Sequence, residues 1–167
     1  MTVDSRLVRF ATYWNECRDS RAAPRREDID PLDIPDLLPT MTLIDVLWEP
    51  MRFRYRLIGT AVTEYFGRDS TGRFVDEGIY GDDAPAVFAT FARLATEARP
   101  FHRILRLNYV DRGWVRMEGI ELPLVDDDGR VNMIVCCNTF VATTDTSGPR
   151  RIFEPLDLQT LIARGRA

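Results

Sequence analysis

Between Arg52 and Ile58 the chain reads Arg-Phe-Arg-Tyr-Arg-Leu-Ile. Phe53, Tyr55 and Leu57 point one way along an extended strand, and Arg52, Arg54 and Arg56 point the other. Such a strand belongs to a sheet with one apolar and one polar face, which is an antiparallel habit. The preceding segment, 41–47, is rich in strand formers and is joined to it through Glu49-Pro50-Met51, so the two form a hairpin. Three more strands are expected at about 101–110, 114–125 and 130–142, with turns at Asp111-Arg112-Gly113 and Asp127-Asp128-Gly129. Strands two and three are separated by helical segments. Thr60–Phe66 is a short helix stopped by Gly67, and 82–98 is a longer one with Val87, Phe88, Phe91, Leu94 and Ala95 on its apolar stripe. The order gives an α+β domain: a five-stranded antiparallel sheet with helices on one face.

Two flanks complete the chain. Residues 5–19 place Leu7, Phe10, Ala11, Trp14 and Cys17 on one helical face, and the proline-rich stretch 20–39 is an extended connector. The expected organisation is a flanking helix and connector over 1–39, a core over 40–142, and a polar tail over 143–167 with a short helix at Leu156–Ile162.

Composition excludes several classes. At 167 residues the chain has the size of one domain; 45% hydrophobic and 29% charged residues place it among folded, non-fibrous proteins. The longest unbroken apolar run, Met133–Cys137, is far short of the ~20 residues of a membrane span. The start, MTVDSRLVRF, has no apolar signal core, so a cytoplasmic location is expected. A net charge of −4 gives no general attraction to nucleic acid. Cys17, Cys136 and Cys137 have neither disulfide arithmetic nor metal-ligand spacing. Neighbouring Cys136 and Cys137 point to opposite strand faces and read as packed small hydrophobes.

Catalytic and cofactor signatures are equally sparse. His102 is the sole histidine, and alternation from Phe101 puts it on the face opposite Leu105. Gly67–Gly72 lacks the Lys-Ser/Thr ending of a phosphate loop. Asp126-Asp127-Asp128 reads as a solvated hairpin tip, and no haem, flavin or metal signature is present. Arg103 is the exception. If odd positions of the third strand face inward, it joins Phe101, Leu105, Leu107 and Tyr109 as a charge among apolar groups. A buried guanidinium needs a partner. Either Glu118 or Glu121 supplies it, or a carboxylate or phosphate on a small ligand does, in fork geometry. Arg52, Arg54 and Arg56 form one stripe, which either pairs with the acidic connector 27–36, the favoured reading, or binds an anionic partner such as a nucleotide or nucleic acid.

Tyr13-Trp14, Pro24-Arg25, Asp28-Ile29-Asp30-Pro31, Leu37-Leu38-Pro39, Phe53–Thr60, Phe66-Gly67-Arg68-Asp69 with Thr71-Gly72, and Leu122-Pro123-Leu124 together resemble a bacterial subgroup of PAS domains, mostly short single-domain proteins. The similarity covers about residues 8–142. It implies a sheet of order 2-1-5-4-3 wrapped around a small pocket. It also implies sensing, ligand binding or protein interaction without enzymatic activity. Pocket-lining candidates are Tyr55, Tyr65, Phe66, Arg103, Met117 and Cys137, with Val135. In such domains a flanking helix packs on the outer sheet face or on a second protomer. Leu7, Phe10 and Trp14 on the helix, with Ile44 and Phe140 among the even positions of the first and last strands, are therefore expected at an interface. The expected partners are a second copy of the chain, another signalling protein and a small molecule, with no nucleic acid. The expected function is a stand-alone sensory module acting through protein contacts. The alternatives are a dedicated organic-acid sensor using Arg103 and an enzyme of the cone-shaped α+β type.

Overall fold

The strand of alternating arginines forms as expected up to Tyr55 and then slips by one residue. In the computed structural model, which describes residues 3–107, 112–143 and 151–165 with backbone alone at 107 and 112–114, β1 (Met41–Trp48) pairs antiparallel with β2 (Met51–Ile58). The register shifts between Leu43 and Ile44, so that Leu43 faces Leu57 while Ile44 faces Tyr55. Arg56 is the extra residue of this bulge. Its insertion turns Leu57 outward, 45% exposed, and brings Ile58 onto the side of Tyr55.

The remaining strands are β3 (Phe101–Leu107), β4 (Arg112–Val125), β5 (Val131–Ala142) and β6 (Arg151–Pro155). All neighbours are antiparallel and the order is β2-β1-β5-β4-β3-β6. The expected order 2-1-5-4-3 is present, with a correction to the strand count. The segment expected as polar tail supplies a sixth strand, whose backbone continues the sheet at the β3 edge. Pairing with a distant edge, and not local propensity, makes 151–155 a strand.

Helices cover both faces. On one lie α2 (Thr60–Phe66), α3 (Glu77–Tyr80) and α4 (Ala84–Glu97). Gly67 ends α2 at φ +71°, a left-handed conformation that glycine adopts without the Cβ penalty. Phe88 and Phe91 of α4 meet the Phe53 ring, with centroids 5.2 and 5.6 Å away. On the other face lies α1 (Ser5–Cys17), started by the Asp4 carboxylate, which accepts from the Arg6 N–H at 2.9 Å. The short α5 (Leu158–Arg164) packs beside α1.

Of the two placements expected for the flanking helix, the described chain has the one on its own outer sheet face. Leu7 and Phe10 are completely buried and Trp14 is 1% exposed, because α1 packs on β4 and β5 of its own chain. The Trp14 indole N–H donates to the Pro123 carbonyl at 3.0 Å. Ile44 is also fully buried, on the opposite face under α2–α4, and Phe140 stacks on Tyr65 of α2 at 4.1 Å. The stripe that would be costly in water on an isolated helix is satisfied within the chain. The parity of β1 and β5 could not be read because both of their faces are covered; Met41–Val46 is buried without alternation.

The arginine stripe is corrected as well. Arg54 and Arg56 lie 2.8 and 3.4 Å from Asp45 of the neighbouring strand, and the Arg52 guanidinium lies over the Phe74 ring. The connector acids are engaged elsewhere, Asp28 with Arg21 and Asp36 with Arg9.

Candidate functional site

Between the sheet and α2–α4 is a cavity of about 50 Å³, measured over the centres of the waters it could hold. That is room for a few water molecules, at roughly 10–15 Å³ each on this measure. Its walls are mostly apolar: Ile44, Val62, Phe66, Val87, Phe91, Leu105 and Met117. Three arginines reach it from separate elements, Arg103 on β3, Arg68 after α2 and Arg151 on β6.

Arg103 is set by a row across the sheet. β3 pairs Arg103 with Gly119, and β4 pairs Gly119 with Asn138. With no side chain on Gly119, the guanidinium extends over the middle strand and donates to Asn138 Oδ1 at 3.0 Å. Asn138 in turn donates from Nδ2 to the Thr40 carbonyl at 3.0 Å, which fixes its amide. A Cβ on Gly119 would stand 2.8 Å from Asn138 Oδ1 and 3.1 Å from the Cys137 carbonyl, so glycine is required by close approach.

Of the two expected carboxylate partners, Glu121 is the one on the Arg103 face. Its Oε1 lies 2.9 Å from Arg103 Nε, and the residue is wholly buried. Neither carboxylate oxygen accepts an aligned hydrogen bond among the described residues. Burial raises the Glu121 pKa above the ordinary glutamate value, opposed by the positive charges of Arg103 and Arg151. Glu118 points to the other face, where His102 Nε2 approaches it at 2.9 Å. His102 therefore stands away from the cavity, on the side that alternation assigned to it.

The polar rim is built from tyrosines and Arg68. The hydroxyls of Tyr55 and Tyr80 are hydrogen-bonded to each other, and Arg68 donates to the Ile79 carbonyl. The Arg68 Nε is buried with no hydrogen-bond partner among the described residues. Burial raises the Tyr80 pKa; the Tyr55 hydroxyl and then the charges of Arg103 and Arg68 pull it the other way. Burial also keeps the Cys136 thiol, on the cavity wall, far above its usual pKa and therefore protonated.

Of the sequence candidates, Tyr55, Phe66, Arg103 and Met117 line this cavity. Tyr65 stands beside it, stacked on Phe140. Cys137 and Val135 are corrections: they lie on the α1 face, where the Cys137 sulfur is 3.7 Å from Thr40 Oγ1, and Cys136 takes the inward place. A one-residue change of parity moves every side chain of a strand to the other face. Tyr109 lies outside the described residues, and of Leu107 only the backbone is described. Arg68, Tyr80, Asn138 and Arg151 are cavity residues that the sequence reading did not single out. Arg68 stood within the Phe66–Asp69 motif, and Arg151 in a segment with no strand signal of its own.

Among the described residues no cluster of His, Cys, Asp or Glu has the arrangement of a metal site, and no helix is long and apolar enough to cross a membrane. No curated protein matches the chain. The solved structure of VqmA bound to DPO is similar to it, with a TM-score of 0.50 and 14% sequence identity. That match covers 66% of this chain and 57% of the VqmA chain, less than two thirds of it, and shows likeness of fold. The family model for the PAS domain matches residues 1–139. With a sheet enclosing a cavity under α2–α4 and a family match over most of its length, the chain belongs to the PAS domain family, whose members are generally sensory or regulatory.

Proposed function

We propose that this PAS domain is a sensory module whose cavity binds a small carboxylate, with Arg103 as the principal anchor. The observation that carries this reading is the convergence of Arg68, Arg103 and Arg151 on a mostly apolar cavity, with the buried Arg68 Nε left without a hydrogen-bond partner among the described residues. Guanidinium groups present parallel donors that match a carboxylate, and the apolar walls strengthen that attraction by excluding water. The cavity volume sets the scale of the ligand at a few heavy atoms. VqmA supports the reading only in that its solved structure is of a complex with a small ligand, DPO.

Regulation would follow from differential binding. A ligand that fits one arrangement of α2–α4 better than another shifts the population toward it. A partner protein that contacts those helices would read the shift.

The test is thermal unfolding of the protein with and without pyruvate and acetate. Removing Arg103 alone would strand the buried Glu121 carboxylate, which is strongly destabilising. The comparison is therefore with Arg103→Met combined with Glu121→Gln, which neutralises both partners. At a hundred times Kd the ligand is expected to stabilise the wild type by about 2.7 kcal/mol, and the double variant by nothing. Equal stabilisation of the two proteins would remove Arg103 from the site.

A further inference from the structure

Glu121 is a buried acid whose charge depends on the same guanidinium that faces the cavity. Its carboxylate is fully enclosed, touches Arg103 Nε through Oε1 at 2.9 Å, and receives no aligned hydrogen bond among the described residues. Burial disfavours the charged form, and the Coulomb attraction of Arg103, then of Arg151, opposes that. The other titratable groups around it are the Cys136 thiol on β5 and the Tyr80 phenol at the end of α3, both kept neutral by burial. Phe101, directly opposite Glu121 on β3, is fully buried and stacked on Phe153 of β6 at 4.4 Å. The Arg93 guanidinium of α4, paired with Glu97, lies over the Phe101 ring at 4.9 Å.

We propose that the cavity takes up a small carboxylate and a proton together, the proton going to Glu121. This inference rests on the reading of the cavity as a carboxylate site. An anion seated on Arg103 offsets the attraction that favours the ionised form of Glu121 and adds a like charge nearby. Both effects favour the neutral acid. The balance is simple: one proton passes from solvent to a Glu121 oxygen, and no bond within the ligand forms or breaks. The effective ligand is then the weak acid as a whole, anion plus proton, and its binding strengthens as the solution becomes more acidic.

Linkage fixes the sign. If the bound state holds more protons than the free state, affinity rises as pH falls, by up to roughly tenfold per pH unit for one proton. The probe is pyruvate, which stays ionised across the range in which a buried glutamate titrates. Calorimetric titration of the full chain in two buffers of unlike ionisation enthalpy counts the protons. Net proton uptake, up to one per pyruvate, is expected for the wild type, with none for Glu121→Gln and a flatter pH profile of its affinity. Binding with the same proton count in both proteins overturns the coupling while leaving the carboxylate site standing. No pyruvate or acetate binding to either protein overturns both readings. Should Glu121→Gln fold poorly, the infrared difference between pyruvate-bound and free wild type decides: a protonated carboxyl band must appear on binding, and its absence contradicts the proposal.

Discussion

Gly119 shows how a residue without a side chain can define a site. It lies between Arg103 and Asn138 in a row across three strands, and a Cβ there would meet Asn138, the acceptor of the guanidinium. Gly119→Ala would press on Asn138 Oδ1 from 2.8 Å and on the Cys137 carbonyl from 3.1 Å. The expected cost is about 1–3 kcal/mol of stability, the range for overpacking a tight interior. Displacing Asn138 also loosens Arg103, so the pyruvate-induced thermal shift should shrink with it. Denaturant unfolding and thermal shift check the two effects; unchanged values would mean that the row yields freely. At this scale the sequence was legible where one face alternates. Arg103 reads as inward from its place between Phe101 and Leu105, and it lines the cavity. Cys136 and Cys137 were not legible, because both neighbours are buried and each face has its own covering helix.

Elements carry the clearest difference between what periodicity says and what tertiary structure decides. The stripe of α1 was visible, but its partner was not, since a buried intramolecular contact and an exposed interface leave the same pattern in a sequence. The described structure spends that stripe on β4 and β5 of its own chain. Trp14→Ala should therefore act on stability. Loss of a buried large aromatic side chain costs about 3–5 kcal/mol, and the indole bond to the Pro123 carbonyl goes with it. Chemical denaturation measures this directly; a variant as stable as wild type would show that α1 is dispensable to the core. β6 was illegible for another reason. Its five residues become a strand by pairing with the β3 edge, a contact between segments separated by the whole of β4 and β5. That pairing puts Arg151 opposite Leu105 and on the cavity wall, so the tail contributes directly to the site.

For the molecule as a whole, covering the sheet on both faces builds the core and encloses the cavity. α1 covers one face, and α2–α4 cover the other with the cavity beneath them. Charge is concentrated there: three arginines converge and one fully buried carboxylate lies 2.9 Å from Arg103. The family match gives the sensory frame, and the arginines give the chemistry that would make this member respond to a small acid. The most direct measurement is a pyruvate titration followed by NMR through the Arg103 Nε–H and the Asn138 side-chain amide. Saturable shifts of both signals are expected, with the exposed arginines Arg54 and Arg56 on the far face unmoved. Signals at Arg103 and Asn138 that stay fixed while pyruvate is raised to saturating excess would contradict carboxylate binding at Arg103.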